Sequence, residues 1–301
     1  MAAPASAEVQ ASGTAQSTAF MRALAAHDPR EEIRGPDRLA EIFLEADQLK
    51  PIKDPAARAW VMQNKVAPGA YAFMTARTSF FDEEFKQALE ADTPQVVLLG
   101  AGYDSRPYRF ADLIRDTRIF ELDTAPTQAR KLECLHRAQV PIPAQVSFVP
   151  VNFETGALED RLTQAGFNLA HRTFFLWEGV SYYLSAEAVD RMLAFVCADS
   201  PPGSSICFDY ASLSPQALAE EGAKQLRQFV KSQYANEAAK FGIREGELHS
   251  FMAARGFGVS EHLTAADMDQ KYLAAGLYPD LGRVPSLFCL VHAKVLRPRI
   301  G

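Results

Sequence analysis

The sequence predicts an α/β fold of the Rossmann-like kind, a parallel sheet covered by helices, and three observations carry that reading. Gln95 to Leu99 (QVVLL) is a short apolar run that suits a strand buried on both faces of such a sheet. It ends on Gly100-Ala101-Gly102, where missing side chains let the chain turn sharply and let a ligand approach the backbone. A second apolar run, Thr117 to Leu122 (TRIFEL), ends at Asp123, 23 positions beyond Gly100. An acid there can accept hydrogen bonds from both hydroxyls of an adenosine ribose.

The third glycine of the dinucleotide fingerprint is absent, since Ser105 stands in its place. Those glycines admit a pyrophosphate and close helix packing, so the loss argues for an adenosine ligand without phosphates. S-adenosylmethionine is the candidate. LGAGYDSRPYRF, FELD ending at Asp123, Trp177-Glu178-Gly179-Val180 and Tyr182-Tyr183-Leu184 together resemble the leucine carboxyl methyltransferase family and its bacterial relatives. The resemblance spans about Thr18 to Leu296. It implies a class I S-adenosylmethionine-dependent O-methyltransferase with a seven-stranded sheet, an N-terminal helical cap and a helical lid insertion.

Length and composition agree with a soluble globular chain. The 301 residues suffice for one large α/β domain with decorations, and 48% hydrophobic with 23% charged residues is ordinary for that class. A formal net charge of −6 and the lack of a Lys/Arg-rich run argue against a nucleic-acid partner. Cys134, Cys197, Cys207 and Cys289 show no CxxC or Cys/His spacing. They read as small buried hydrophobes in a reducing compartment, and no metal site is expected. No apolar run approaches the roughly 18 residues of a membrane span. MAAPASAEVQASGTAQS has neither the basic start nor the apolar centre of a signal peptide, so a cytoplasmic location is expected.

In chain order, residues 1–17 are poor in large apolar side chains and read as a mobile tail. Residues 18–92 read as the helical cap, with Leu39, Ile42, Phe43 and Ala46 as one amphipathic stripe. Tyr71, Phe73, Phe80, Phe81 and Phe85 crowd the end of the cap and suit either packing on the sheet or the wall of a substrate pocket. Arg77, in an apolar stretch, needs an anion: either Asp82 or Glu84, or the cofactor's methionine carboxylate, which its planar fork would match. The resemblance favours the cofactor.

Residues 93–210 read as the cofactor-binding core. After Asp123 come a helix over Ala125 to Gln139, a third strand over Val146 to Val151, a fourth over Arg172 to Trp177 and a fifth over Ser204 to Tyr210. Asn152 and Phe153, after the third strand, are placed to flank the adenine, one by accepting from its amine and the other by stacking. The resembled family usually carries Asp where Asn152 stands. Glu178, at the end of the fourth strand, is placed beside the glycine loop, where it can pair with the cofactor's α-ammonium or hold a loop. Ser185 caps a helix striped by Val189, Met192, Leu193 and Val196. Residues 211–245 read as a helical lid with Leu226, Phe229 and Val230 on its apolar face. Residues 246–301 complete the core, with strands over Phe257 to Leu263 and Ser286 to Leu296 as an antiparallel edge hairpin.

Methyl transfer from a sulfonium is an in-line displacement that needs orientation and a deprotonated nucleophile. A carboxylate is already ionised at neutral pH, and none of the six histidines stands in a motif that marks a base. This favours a small or peptide-like acid as acceptor, with a hydroxyl as the alternative. Tyr103, Arg106 and Tyr183 are the candidate catalytic residues, with Asp104 and Tyr182 nearby. Arg106 could position an acidic substrate or tie the glycine loop to Asp104. The cofactor set is Arg77, Gly100, Ala101, Gly102, Asp104, Asp123, Asn152, Phe153 and Glu178. Two other classes share part of this pattern. A nicotinamide dehydrogenase should show the third glycine and a catalytic Tyr/Lys or His, and a non-catalytic S-adenosylmethionine sensor would keep only the cofactor residues.

Overall fold

The computed structural model describes residues 12–67, 69–153, 158–198, 200–219, 224, 240–273 and 281–296. Seven strands, β1 (Gln95–Leu99), β2 (Arg118–Asp123), β3 (Val146–Pro150), β4 (Thr173–Trp177), β5 (Ser205–Ala211), β6 (Phe257–Leu263) and β7 (Phe288–Val295), form one sheet. Their order is β3-β2-β1-β4-β5-β7-β6. The first five run parallel, and β7 lies antiparallel between β5 and β6. The chain therefore leaves β1 toward one edge and returns through β4 toward the other. The carboxyl ends of β1 and β4 flank the switch point where open sheets of this kind bind ligands.

Burial explains why the central strands are continuous apolar runs. Every residue of β1 and β4 is buried, because helices cover both faces. Val96, Leu98, Phe174 and Leu176 share one core with Phe80, Phe81 and Phe85 of the helix Ala70–Glu90. Val97, Leu99, Phe175 and Trp177 share the other with Val189, Leu193 and Val196 of the helix Ala186–Ala198. Ser185 caps that helix as the sequence indicates, its hydroxyl accepting from Ala188 N–H at 3.2 Å. Deleting one fully buried ring such as Phe81 costs about 3–5 kcal/mol. Phe73, Phe80, Phe81 and Phe85 thus pack on the sheet, whereas Tyr71 packs in the core of the N-terminal cap and bonds to Asp28.

The N-terminal region departs from the sequence reading in two places. A helix runs over Gly13–Ala26, so the tail cannot extend to residue 17; Ser12 caps it by accepting from Ala15 N–H at 3.1 Å. Residues 1–11 of that tail lie outside the described residues. Leu39, Ile42 and Phe43 of the expected amphipathic stripe lie not in an α-helix but in a six-residue 3₁₀ helix, Arg38–Phe43, and Ala46 falls beyond it in a turn. Only Phe43 of the four is buried, stacked on Tyr103 with ring centroids 5.1 Å apart. The lid face of Leu226, Phe229 and Val230 lies outside the described residues. Among the described residues, no helix is long and apolar enough to cross a membrane.

Candidate functional site

The glycine loop is held open by its backbone. Gly100 and Gly102 have φ of +74° and +47°, in the left-handed region. A Cβ on Gly100 would also meet Val180 Cγ2 at 2.7 Å, inside contact distance. Gly102 N–H donates to Asp123 Oδ2 at 2.7 Å, and Thr124 N–H donates to Oδ1 at 2.7 Å. Burial raises the Asp123 carboxyl above the usual range, and these backbone donors offset the rise in part. Each oxygen keeps acceptor capacity beyond its one backbone donor. Val151 N–H donates to the Asp123 carbonyl, which sets Asn152 and Phe153 beside the tip of β2. Phe153 packs against the core face that holds Val97 and Leu99.

Beneath the loop lies a chain of buried charges in which four arginines meet five carboxylates. Arg77 contacts Glu178 at 3.0 Å and Asp209 at 3.1 Å. Glu178 also contacts Arg106 at 2.8 Å, and Arg106 binds Asp104 at 2.7 Å and Asp82 at 2.8 Å. Asp82 continues to Arg109 at 2.7 Å, Arg109 to Asp37 at 3.2 Å, and Asp37 to Arg22 at 3.0 Å. Buried ions are tolerable only where each contacts an opposite charge, as every member of this chain does. Burial opposes the charge on Arg77, but Glu178, Tyr182 and Asp209 outweigh it and hold the guanidinium charged. Asp104 is likewise kept below the usual carboxylate range, because Arg106, Lys131 and Arg22 outweigh its burial.

This buried acid at the tip of β2, the glycine loop and the arginine-carboxylate layer at a switch point accord with the sequence comparison, in which residues 15–197 match the leucine carboxyl methyltransferase family. The chain belongs to that family. YktD of Bacillus subtilis, named as an S-adenosyl-L-methionine-dependent methyltransferase, is 31% identical over 216 residues, covering 71% of this chain and 69% of that one. A protein of the same designation from Parafrankia sp. is 34% identical over 220 residues, covering 71% of this chain and 66% of the relative. Among solved structures, a DUF574 family protein from Streptomyces avermitilis superposes with a TM-score of 0.61 at 13% identity, covering 96% of this chain and 98% of that one. A Thermobifida fusca protein described as a methyltransferase gives 0.58 at 13% identity, covering 93% and 94%. At that identity the likeness is one of fold.

In this family member, the structure gathers Arg77, Asp104, Arg106 and Glu178 into one layer and sets Gly100, Ala101, Gly102 and Asp123 above it, but several assignments change. Arg77 does not pair with Asp82 or Glu84. Asp82, five residues along the same helix, points away from Arg77, and Glu84, seven along, lies about 10 Å down the axis. Arg106 is 1% exposed with all its charge taken by three carboxylates, so it ties the loop instead of meeting an acidic substrate. Tyr103 is buried against Phe43 and the helix Ala125–Arg137, away from the β4 end, and burial pushes its hydroxyl up to about 12; the catalytic reading of this residue is not supported. Tyr183 remains partly buried at the β4 end, 4.6 Å from the Tyr182 ring. Tyr182 accepts from Arg77 at 3.2 Å.

Asp209 is the residue that sequence reading missed. It is fully buried on β5, accepting from Gly179 N–H at 2.7 Å and from Arg77 at 3.1 Å. Its one sequence signal is an isolated acid inside the apolar run SSICFDY. A charge in a strand buried on both faces must have a partner elsewhere in the fold.

Proposed function

We propose that this methyltransferase family member transfers the methyl group of S-adenosyl-L-methionine to a carboxylate oxygen of a small or peptide-like acid, giving a methyl ester. One observation carries the cofactor assignment. Arg77 Nε and Glu178 Oε1 lie 3.0 Å apart and are buried, yet neither makes a hydrogen bond. Both keep directional capacity to spare beside the glycine loop. The amino-acid end of the cofactor carries the matching pair of charges, a carboxylate for Arg77 and an ammonium for Glu178.

The bound cofactor supplies an electrophilic methyl carbon on a positively charged sulfur. The protein's part is to bind and orient. Asp123 accepts the ribose hydroxyls, Gly100, Ala101 and Gly102 admit the ligand to the backbone, and Asn152 and Phe153 flank the adenine. Asp104 and Arg106 hold the loop from below, and Tyr182 and Tyr183 line the side nearest the acceptor. An acceptor carboxyl with a pKa near about 4 is ionised without help. Among the described residues, no histidine stands at the carboxyl ends of β1, β2 or β4. Family membership supports the same choice of acceptor.

The test is turnover with a methyl-labelled cofactor against panels of carboxylic acids and phenols, followed by mild alkali. The expected product is an ester that releases labelled methanol. A product that survives alkali makes the acceptor a hydroxyl and overturns the carboxylate assignment.

A further inference from the structure

Two helical turns beyond Arg77 on the helix Ala70–Glu90, three chemically distinct donors meet in the protein interior. Glu84 lies on the helix Ala70–Glu90, Cys207 on β5 and His292 on β7, and one donor atom from each lies within 4.8 Å of the other two. Cys207 and His292 are direct cross-strand partners in the antiparallel β5–β7 ladder, so their side chains leave the sheet on the same face. That face is the one the helix covers. Glu84 reaches down onto it and contacts His292 Nδ1 at 2.8 Å.

The apo arrangement leaves two needs unmet. Glu84 is 4% exposed, and His292 is its one ion-pair partner among the described residues. No lysine or arginine pairs with this carboxylate among the described residues, and a buried charge without a firm partner is costly. His292 Nε2 is itself buried without a hydrogen-bond partner.

We propose that Glu84, Cys207 and His292 supply the three protein ligands of a site for a divalent metal ion, with a water molecule in the fourth position and Zn²⁺ the ion that the donor set suits. A thiolate, an imidazole and a carboxylate are the three zinc donor types of proteins. Binding releases the Cys207 thiol proton. Zn²⁺ with one thiolate, one carboxylate and one neutral imidazole then sums to zero charge, which removes the burial problem. Bonds of about 2.0–2.3 Å in tetrahedral array place ligand atoms about 3.5 Å apart, so the three side chains need move only about an ångström to close on an ion. Before metal binds, burial together with Glu84 and Glu261 pushes the Cys207 thiol well above its ordinary range. Glu261 is the cross-strand partner of His292 on β6 and the nearest further carboxylate in register.

The position gives the ion a consequence. Glu84 and Arg77 share a helix face seven residues apart, and Cys207 and Asp209 share a strand face two residues apart. The ion would therefore pin the same helix to the same strand that the Arg77–Asp209 contact joins, one layer deeper.

The test uses the full chain, stripped with chelator and titrated with Zn²⁺ against a chromophoric zinc indicator. One equivalent should bind, restoring the melting temperature lost on stripping, and Co²⁺ should give a thiolate-to-metal charge-transfer band. Cys207→Ser should abolish that band and weaken zinc binding at least 100-fold. Glu84→Gln, which keeps the shape of the side chain, should weaken it at least tenfold and serves if Cys207→Ser does not fold. Zinc bound equally by the parent and either folded variant is adventitious and overturns the proposal, as does the absence of zinc binding by the parent.

Discussion

Arg77 and Asp209 stand 132 positions apart in the chain and meet at 3.1 Å under the switch point. Asp209 also accepts from Gly179 N–H at 2.7 Å, and its neighbour Glu178 contacts the other side of Arg77. One buried carboxylate thus fixes both the arginine and the turn that follows β4. Burial raises the Asp209 carboxyl above its usual range, while Arg77 and the Gly179 N–H favour the charged form.

Asp209→Asn should therefore loosen the cofactor end of the site. The amide oxygen can still accept from Gly179, but its NH₂ group would face the Arg77 donor. We expect S-adenosylmethionine affinity to fall at least tenfold, which is about 1.4 kcal/mol, as read by isothermal titration calorimetry. Arg77→Lys should fall similarly, since a point charge cannot serve Glu178, Asp209 and a ligand carboxylate with a fork's geometry. Unchanged affinity in both variants, with only a lowered melting temperature, would reduce the layer to scaffolding.

Asp123→Ala removes the acceptor at the tip of β2 together with the partner of Gly102 and Thr124 N–H. Loss of a charged hydrogen-bonding partner costs on the order of 1.5–3 kcal/mol. The expected result is a 10- to 150-fold weaker cofactor Kd in a protein whose circular dichroism matches the parent. A folded variant that binds within a factor of two would remove Asp123 from the ribose site.

Gly100→Ala meets two obstacles, a φ of +74° and a Val180 Cγ2 2.7 Å from the new Cβ. The loop must shift, so both cofactor affinity and stability should drop. Adding Val180→Ala removes the contact but leaves the strained φ, so it should recover part of the loss. Full recovery would show that the contact alone matters, and no recovery would place the whole cost in the backbone.

Asp28 predicts a pH dependence in the cap. Its buried carboxylate accepts from Arg30, Arg58 and Tyr71. Burial opposes ionisation, yet the hydrogen bonds of Arg30 and Tyr71 outweigh it and hold the carboxyl near about 2, against 3.8 for a free group. A depressed acid binds fewer protons when folded than when unfolded. Its contribution is therefore present in full above pH 3.8 and is lost as pH falls through 2. A shift of this size is worth about 2 kcal/mol. Urea denaturation should show Asp28→Asn less stable than the parent by about that amount at pH 7. The gap should narrow on approaching pH 2; a gap that is constant with pH would assign the loss to packing.

Much of this was legible in short stretches of chain. β1, the glycine loop and Asp123 sit within one strand-turn-helix-strand unit, where the burial of both faces of a parallel strand and the backbone needs of a tight turn act on neighbouring residues. The family resemblance rests on those stretches together with Trp177–Val180 and Tyr182–Leu184, and the antiparallel edge that β6 and β7 form was implied by that resemblance. Strand limits shifted by only a residue or two, since local pattern does not mark where a ladder's last hydrogen bond falls.

Partner choice was decided elsewhere. Asp82 looks from the sequence like a mate for Arg77, but helical rotation turns it to Arg106 and Arg109 instead. Tyr103 follows the glycine loop directly, yet the packing of the N-terminal cap draws its ring against Phe43. Glu84, Cys207 and His292 carry no spacing that marks a cluster; they meet because the β5–β7 register sets two of them opposite each other and the helix lowers the third between them. Periodicity and turn chemistry act over a few residues and are written locally. Which buried charge meets which depends on sheet register and on how a helix is rotated about its axis, and both are fixed only when the cores on the two faces of the sheet pack.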